Sequence, residues 1–291
     1  MSSMAKPKKR RTSNNNDNNT NVVAKAKVKC MTNDGLRGFP PRLLHNKNEF
    51  KPCQSKVEAL VPNAVYFSRN ALSSSECQEW IKFAEDESKF DAVNHPSTRS
   101  VAHRECGRIQ IDDWNMSHRL YQRIESIVHQ ISGQLNIFDK ATRSTAKNRN
   151  SNNSPKYQPL SCNPNLRLYK YAKGQSFGRH FDGASDIQFV SGSPYSKANV
   201  KEAQTEMTVL FYLSSCRGGA TRFHLPHGKN VFGGGNGKKK CNGFDGSVAF
   251  VPEEGAVLLH VHGDRCLEHE AEPVRDGIKY VLRTDVIFGI M

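Results

Sequence analysis

The sequence lacks paired cysteines, long apolar runs and the usual share of hydrophobic residues. Its eight cysteines occur singly, and no two of them are separated by only two residues, which argues against a zinc ribbon or a thioredoxin-type site. No run of eighteen apolar residues occurs, and no apolar stretch follows the first methionine. Neither a membrane-spanning helix nor a secretory signal is therefore predicted. We expect a soluble, intracellular protein with reduced thiols and no membrane partner.

The positive charge is concentrated at one end of the chain. Only 36% of the 291 residues are hydrophobic, and the net charge is +14. Residues 1–56 hold 13 Lys and Arg against 3 Asp and Glu. This polar, Asn-rich composition predicts a disordered basic tail over residues 1–56 and a folded domain over residues 57–291. The cluster KPKKRR at residues 6–11 indicates a nuclear import signal or a nucleic-acid-binding arm, and a merely solvated tail is the alternative.

Two helices are predicted near the start of the domain. Ser73, followed three positions later by Glu76, is typical of a capping box at the beginning of a helix. Residues 115–135 repeat apolar side chains at helical spacing and predict a second, longer helix. Residues 141–162 are polar and indicate a surface insertion.

Short β-strands are predicted from residue 165 to the end of the sequence. The runs are rich in Val, Leu, Phe and Tyr and are separated by Gly, Pro and Asn. They are NLRLYKY, EMTVLFYL, GATRFHL, GSVAFV, GAVLLHV and IKYVLRTDVIFGI. Helices followed by a block of strands predict an α+β or mainly β fold, in which a barrel or two-sheet core packs against N-terminal helices.

The stretch GRHFDG places His180 and Asp182 two positions apart. In extended backbone, residues i and i+2 point to the same face, so both side chains can enter one cavity. His269, just before the last predicted strand, is the candidate for a third ligand. Two histidines and one carboxylate that leave coordination positions open are typical of non-haem Fe(II) oxygenases.

Two other histidine pairs compete for the same role. These are His224 with His227 and His260 with His262. Neither pair combines a histidine and a carboxylate in a turn that opens a site. We interpret both pairs as ordinary strand or loop residues.

Four segments, in this order, resemble the catalytic domain of prolyl 4-hydroxylase-type 2-oxoglutarate/Fe(II)-dependent dioxygenases. They are YAKGQSFGRHFDG, LFYLSSCRGGATRFH, VPEEGAVLLH and LEHEAEPVRDGIKYVLRTDVIF, and the helix start ALSSSECQEW is similar as well. The resemblance extends over residues 57–291. It implies a double-stranded β-helix (jelly roll) with supporting helices, Fe(II) as cofactor, 2-oxoglutarate and O₂ as co-substrates, and ascorbate as reductant.

The resemblance also assigns roles to residues. It implies that His180, Asp182 and His269 bind the iron and take part in catalysis. Lys279, ten residues after His269, matches the cation that pairs with the distal carboxylate of 2-oxoglutarate, because that charge must not be buried alone. Arg283 faces the same way as Lys279 in a regular strand and is the alternative anchor.

Further pocket residues follow from the same resemblance. Tyr171 matches a tyrosine that lines the 2-oxoglutarate pocket. Tyr169 and Arg167 on the same strand are weaker candidates, and packing within the sheet explains all three equally well. The segment GGATRF at residues 218–223 is interpreted as a structural turn into a core strand.

The reaction implied is oxidative decarboxylation of 2-oxoglutarate to succinate and CO₂, coupled to hydroxylation of a C–H bond. Peptidyl proline is the expected substrate, so a protein or peptide is the expected partner. The basic tail suggests two alternatives: the same chemistry on nucleic acid or another protein side chain, or a non-catalytic module that binds through the tail. The sequence does not indicate an oligomeric state.

Overall fold

The computed structural model describes residues 38–44, 56–99, 101–135, 157–189, 200, 202–226 and 246–290. The helices in these ranges are α1 (Ser74–Lys82), continued by a π-helical turn (Phe83–Glu87), and α2 (Trp114–Leu135), with short 3₁₀ turns at Pro41–Leu43 and Gly263–Arg265. The strands are β1 (Glu58–Val61), β2 (Val65–Ser68), β3 (Asp91–His95), β4 (Arg104–Asp112), β5 (Tyr157–Cys162), β6 (Asn165–Tyr171), β7 (Phe177–His180), β8 (Ala203–Tyr212), β9 (Arg217–Gly218), β10 (Thr221–His224), β11 (Ser247–Phe250), β12 (Val257–Val261), β13 (His269–Ala271), β14 (Val274–Asp276) and β15 (Lys279–Ile290). None of the helices in the described part of the chain is long and apolar enough to cross a membrane.

Eight of the strands form two facing four-stranded layers. The order β12-β8-β15-β6 makes one layer, and the order β7-β13-β10-β11 makes the other. β4 joins the layers because it pairs with both β6 and β7. The rings of Tyr212 and Phe250, one from each layer, lie 5.1 Å apart. As the chain proceeds it passes back and forth between the layers, which is the jelly-roll topology. The predicted fold class is therefore confirmed.

Both predicted helices form, and one residue connects them. Ser73 caps α1: its Oγ accepts from the N–H of Glu76, and its own N–H donates to Glu76 Oε2. The same carboxylate receives two hydrogen bonds, of 2.8 and 2.9 Å, from the Arg123 guanidinium on α2. Glu76 is fully buried. It therefore joins the two helices through a buried ion pair with Arg123, in addition to its role in the capping box.

The predicted insertion at residues 141–162 is wrong over its last six residues. These residues form β5, which pairs with β15 and buries Tyr157, Leu160 and Cys162. The polar composition of residues 141–162 predicted a loop, but β5 forms a strand whose one partner among the described strands is β15, and the register shifts beside Pro159. Proline is tolerated at such an edge. Residues 141–156 lie outside the described residues.

The predicted disordered tail is wrong at residues 38–44. Phe39, Leu43 and Leu44 are each at most 3% exposed and belong to the main core, and the Phe39 ring lies 5.1 Å from that of Trp80. Arg119 on α2 donates to two backbone carbonyls of this segment. The average composition of residues 1–56 is polar and conceals this short apolar group. The group is sufficient to pack the segment against the core. The cluster at residues 6–11 lies outside the described residues.

Candidate metal centre

The three predicted metal ligands lie together. β7 and β13 are antiparallel neighbours in which His180 and His269 are direct partners, and Asp182 follows two residues after β7 ends. One ligand atom from each residue lies within 4.8 Å of the others. The Asp182 carboxylate is 3.7 Å from His180 Nε2 and 3.5 Å from His269 Nε2. The two-residue spacing of His180 and Asp182 therefore does bring their side chains into one site.

Backbone carbonyls orient both histidine rings. His180 Nδ1 lies 2.8 Å from the carbonyl oxygen of Gly178, and His269 Nδ1 lies 2.9 Å from that of Leu267. A carbonyl can only accept, so each Nδ1 carries a proton, and each Nε2 faces Asp182, where it can bind a metal once it is unprotonated. Such second hydrogen bonds are the usual way in which metal-ligating histidines are oriented. Two imidazole nitrogens and one carboxylate with this orientation fit a non-haem Fe(II) ion.

Charges around Asp182 keep it ionised. Arg283 Nη2 lies 2.9 Å from Oδ1, and the Thr208 hydroxyl donates to Oδ2 at 2.8 Å. Burial alone would raise the pKa of the Asp182 carboxyl, but Arg283 and the nearby histidines hold this pKa well below its usual range. A carboxylate that is always deprotonated is what a metal ligand requires.

The pKa values of His180 and His269 shift in opposite directions. Burial lowers the pKa of His180 to about 3, and the neighbouring His269 adds to this effect. Burial would also lower the pKa of His269, but its hydrogen bond and charge interaction with Asp182 raise it to about 9. Both shifts depend on how closely the three groups are held.

Arg283 and Lys279 have different surroundings, which bears on the anchor of 2-oxoglutarate. The Arg283 guanidinium is held by Asp182 and lies 3.7 Å from Asp285 Oδ1. Lys279 is 2% exposed, and its ammonium donates to the Gly219 carbonyl at 2.6 Å. Among the described residues no carboxylate lies within ion-pair distance of Lys279. Burial lowers the pKa of this lysine to about 8, so its charge lacks a partner.

The glycine pair before β10 makes room for the lysine. Gly219 has φ +65°, and a Cβ there would lie 3.3 Å from Cδ of Lys279 and 3.1 Å from Val274 Cγ2. A Cβ on Gly218, at φ +76°, would lie 2.7 Å from the Pro273 carbonyl oxygen. Only glycine fits both positions without strain, which agrees with the structural role predicted for this turn.

The aromatic candidates lie in the pocket, and the arginine candidate is engaged elsewhere. Tyr169 and Tyr171 are both buried in its wall. The Lys279 ammonium lies 5.6 Å from the centre of the Tyr171 ring. Arg167 is not among the described residues that line the pocket, and its Nη2 lies 2.9 Å from Asp285 Oδ2.

The pocket runs from the three ligands to the buried lysine. It encloses about 460 Å³ of non-protein space, including its open mouth. Its walls come from β4, β6, β7, β8, β10, β12, β13 and β15. The lining residues are Arg104, Tyr169, Tyr171, Phe177, His180, Asp182, Thr208, Leu210, Thr221, His260, His269, Glu270, Ala271, Lys279, Val281 and Arg283.

The structure corrects the interpretation of two of the rival histidines. His260 is 2% exposed, lines the pocket and places Nε2 3.4 Å from Asp182 Oδ2. His262 lies 2.9 Å from the Thr208 hydroxyl that contacts Asp182. Both therefore belong to the surroundings of the site: His260 lies on β12, and His262 follows directly after that strand. His224 contacts Glu270 at 2.8 Å, and its predicted pair member at position 227 lies outside the described residues.

One pocket residue had no signal in the sequence analysis. Arg104 begins β4, a strand that was not predicted, and its guanidinium carbon lies 3.5 Å from the centre of the Phe177 ring. It also lies 5.5 Å from the centre of the Tyr169 ring. In this strand only Ile109 and Ile111 alternate with polar residues, and no strand was predicted here, so only the folded chain reveals that Arg104 reaches the site.

Known structures of oxygenases are similar to this chain. A viral collagen prolyl hydroxylase from Paramecium bursaria Chlorella virus-1, in complex with 2-oxoglutarate, is 16% identical, with 77% of this chain and 95% of that chain covered and a TM-score of 0.42. A prolyl hydroxylase from Trichoplax adhaerens, in complex with a hypoxia inducible factor peptide, is 14% identical, with coverages of 77% and 83% and a TM-score of 0.44.

A third similar structure contains a metal and the co-substrate. HygX from Streptomyces hygroscopicus, with nickel and 2-oxoglutarate bound, is 13% identical, with coverages of 79% and 83% and a TM-score of 0.38. No protein-family model matches the chain, and no curated protein matches it. At these values the likeness assigns neither a substrate nor an activity to this chain.

Proposed function

We propose that this protein is an Fe(II)- and 2-oxoglutarate-dependent dioxygenase that hydroxylates a C–H bond, with succinate and CO₂ as co-products. The observation that carries the proposal is the content of one pocket. His180, Asp182 and His269 converge on one point, and Lys279, a buried cation with no carboxylate partner within the described part of the chain, lies in the same pocket. A dicarboxylate that chelates a metal at one end and needs a cation at the other suits this arrangement.

Each residue then has a defined task. His180, Asp182 and His269 hold the iron, which supplies the redox chemistry with O₂ when it is bound. Lys279 pairs with the distal carboxylate of 2-oxoglutarate, and its neighbour Tyr171 walls off that end of the pocket. The protein contributes position and electrostatics.

Arg283 and Thr208 act on the ligand rather than on the co-substrate. Their contacts to the two oxygens of Asp182, at 2.9 and 2.8 Å, fix the rotation of the carboxylate. They also keep it ionised without the metal. We therefore propose Lys279 as the anchor and Arg283 as a positioning residue.

Peptidyl proline is the proposed substrate, and this part rests on the sequence motifs alone. We propose ascorbate as the reductant on the same ground. The charge of residues 1–56 supports a different substrate, nucleic acid, for the same chemistry. The cluster at residues 6–11 is proposed to direct the protein to the nucleus, and a tagged chain without it should then lose nuclear enrichment in a cell-imaging experiment.

The experiment compares ligand variants with a matched histidine. Wild type, His180→Ala, His269→Ala and His129→Ala are loaded with Fe(II), and bound iron and succinate are measured. His129 is the control because it is exposed on α2. We expect the two ligand variants to lose iron and succinate formation and the control to keep both. Normal turnover in either ligand variant would show that the ligands are wrongly assigned.

The substrate is identified separately. The iron-loaded protein is incubated with 2-oxoglutarate and a proteome extract, and modified peptides are mapped by a mass increase of 16 Da. Enrichment at proline supports the proposed substrate. Enrichment at another side chain, or modification of added oligonucleotides only, would replace it.

A further inference from the structure

His260 is a buried histidine that lacks hydrogen bonds. It is 2% exposed, and neither of its ring nitrogens has a hydrogen-bond partner within the described residues. The nearest carboxylate, that of Asp182, lies 3.4 Å from Nε2 without hydrogen-bond geometry. Leaving a buried polar group unsatisfied costs about 1–3 kcal/mol. A ligand that supplies the missing partner would remove this cost.

A thiol lies next to this histidine. Cys266 ends the 3₁₀ turn that follows β12, and it is a free, partly buried cysteine whose thiol donates to the Leu267 carbonyl at 3.7 Å. One ligand atom each of His260, Cys266 and His269 lies within 4.8 Å of the others. The rings of His260 and His269 have centroids 4.5 Å apart.

We propose that His260, Cys266 and His269 form a second metal site, which takes a thiophilic divalent ion such as Zn²⁺. Two imidazole nitrogens and one thiolate are a ligand set that Zn²⁺ favours, with water in a fourth position. Fe(II) prefers the set with Asp182, since a thiolate is the softer ligand. Binding displaces to solvent the proton of the Cys266 thiol and any proton on the ligating nitrogen of His269, so that protons are released as the ion binds.

The two sites share one residue. His269 belongs to both ligand groups, and its Nδ1 is engaged by the Leu267 carbonyl, so a metal that leaves this hydrogen bond intact binds at Nε2. One imidazole nitrogen cannot bind two ions, and Zn²⁺ in the second site therefore excludes Fe(II) from the first. This consequence, inhibition by zinc, rests on the proposed function, whereas the site itself does not.

The first test uses Co²⁺ as a coloured probe and the His180→Ala variant. This change removes a ligand of the iron site only. We expect His180→Ala protein to bind one Co²⁺ and to show a thiolate-to-cobalt charge-transfer band in the near ultraviolet. The band should vanish when Cys266→Ser is added and stay when Cys77→Ala, a core thiol on α1, is added instead. Absence of the band in His180→Ala, or its persistence with Cys266→Ser, would overturn the proposal.

The second test measures inhibition. Without zinc, the rate of succinate formation by Cys266→Ser is measured as the reference for this variant, and turnover shows that the variant is folded. With zinc, half-inhibition should require at least about tenfold more Zn²⁺ than in wild type, because loss of even an outer contact costs 10–100-fold in affinity. Equal zinc sensitivity of the two proteins would overturn the inhibitory role. A cobalt band in a protein that forms no succinate would sustain the second site and count against the oxygenase.

Discussion

Exchange of Lys279 for methionine tests the proposed co-substrate anchor. Methionine keeps most of the volume of the buried stem and removes the ammonium group. A hydrogen bond to a charged group contributes about 1.5–3 kcal/mol, and each 1.4 kcal/mol is a factor of about ten. We therefore expect the KM for 2-oxoglutarate to rise about 10- to 150-fold, with iron binding unchanged.

The burial of this lysine indicates the upper part of that range. Its pKa falls from 10.5 to about 8 because the charge is desolvated, which corresponds to a penalty on the order of 3 kcal/mol. The penalty is fully present below pH 8, falls steadily between pH 8 and 10.5, and is absent above pH 10.5. Without 2-oxoglutarate, Lys279→Met should therefore melt at a higher temperature than wild type at pH 7. A buried charge that lowers stability in the free protein and is paired when the dicarboxylate binds is expected of a ligand-binding residue.

The assay is succinate formation at saturating Fe(II) over a range of 2-oxoglutarate concentrations. Arg283→Met is the matched variant, because it removes a cation from the same face of the same strand. This change should weaken iron binding, since it frees the Asp182 carboxylate, and should hardly alter the KM for 2-oxoglutarate. A raised KM in Arg283→Met together with a normal KM in Lys279→Met would refute the reasoning and make the arginine the anchor.

Three more predictions concern stability and pH. A chain starting at residue 38 should melt with the full chain, whereas one starting at Val57 should melt well below it, since each lost core side chain contributes about 1.5–3 kcal/mol; equal circular-dichroism melts would contradict this. Glu76→Gln should lower the free energy of unfolding in urea by about 3–5 kcal/mol, because the buried Arg123 loses its balancing charge; a loss below about 1 kcal/mol would count against it. The kcat/KM for 2-oxoglutarate should fall above pH 8, where Lys279 loses its proton; a flat profile to pH 9.5 would exclude this lysine as the titrating group.

Local sequence patterns predicted the parts of the molecule whose structure depends on residues that are close together in the sequence. The strand runs from residue 165 onwards match six observed strands, because apolar residues there recur with the period of a sheet. Two-residue spacing placed His180 and Asp182 on one face, and the face shared by Lys279 and Arg283 was predicted in the same way. Iron binding by the first two and by His269 stays a prediction.

Non-local contacts determine what the patterns missed. β4 has several charged residues among few apolar ones, and one of the charged residues, Arg104, enters the pocket. β5 contains a proline, which a strand at a sheet edge tolerates. His260 resembles any strand histidine until the facing layer brings it to Asp182. Phe39 is embedded in a polar tail whose average composition hides it. In each case the partner that explains the residue lies far away in the sequence.

β15 has a consequence for how binding can be measured. This one strand carries Lys279 and Arg283 and is bonded to β5, β6 and β8. A shift by a single residue would turn both cations out of the pocket, so the strand cannot loosen without abolishing the site. Ligand affinity and global stability are thereby coupled. A ligand at 100 times its Kd should raise the free energy of unfolding by about 2.7 kcal/mol. A melting curve of the whole protein can therefore serve as a titration of its pocket, even before a substrate is known.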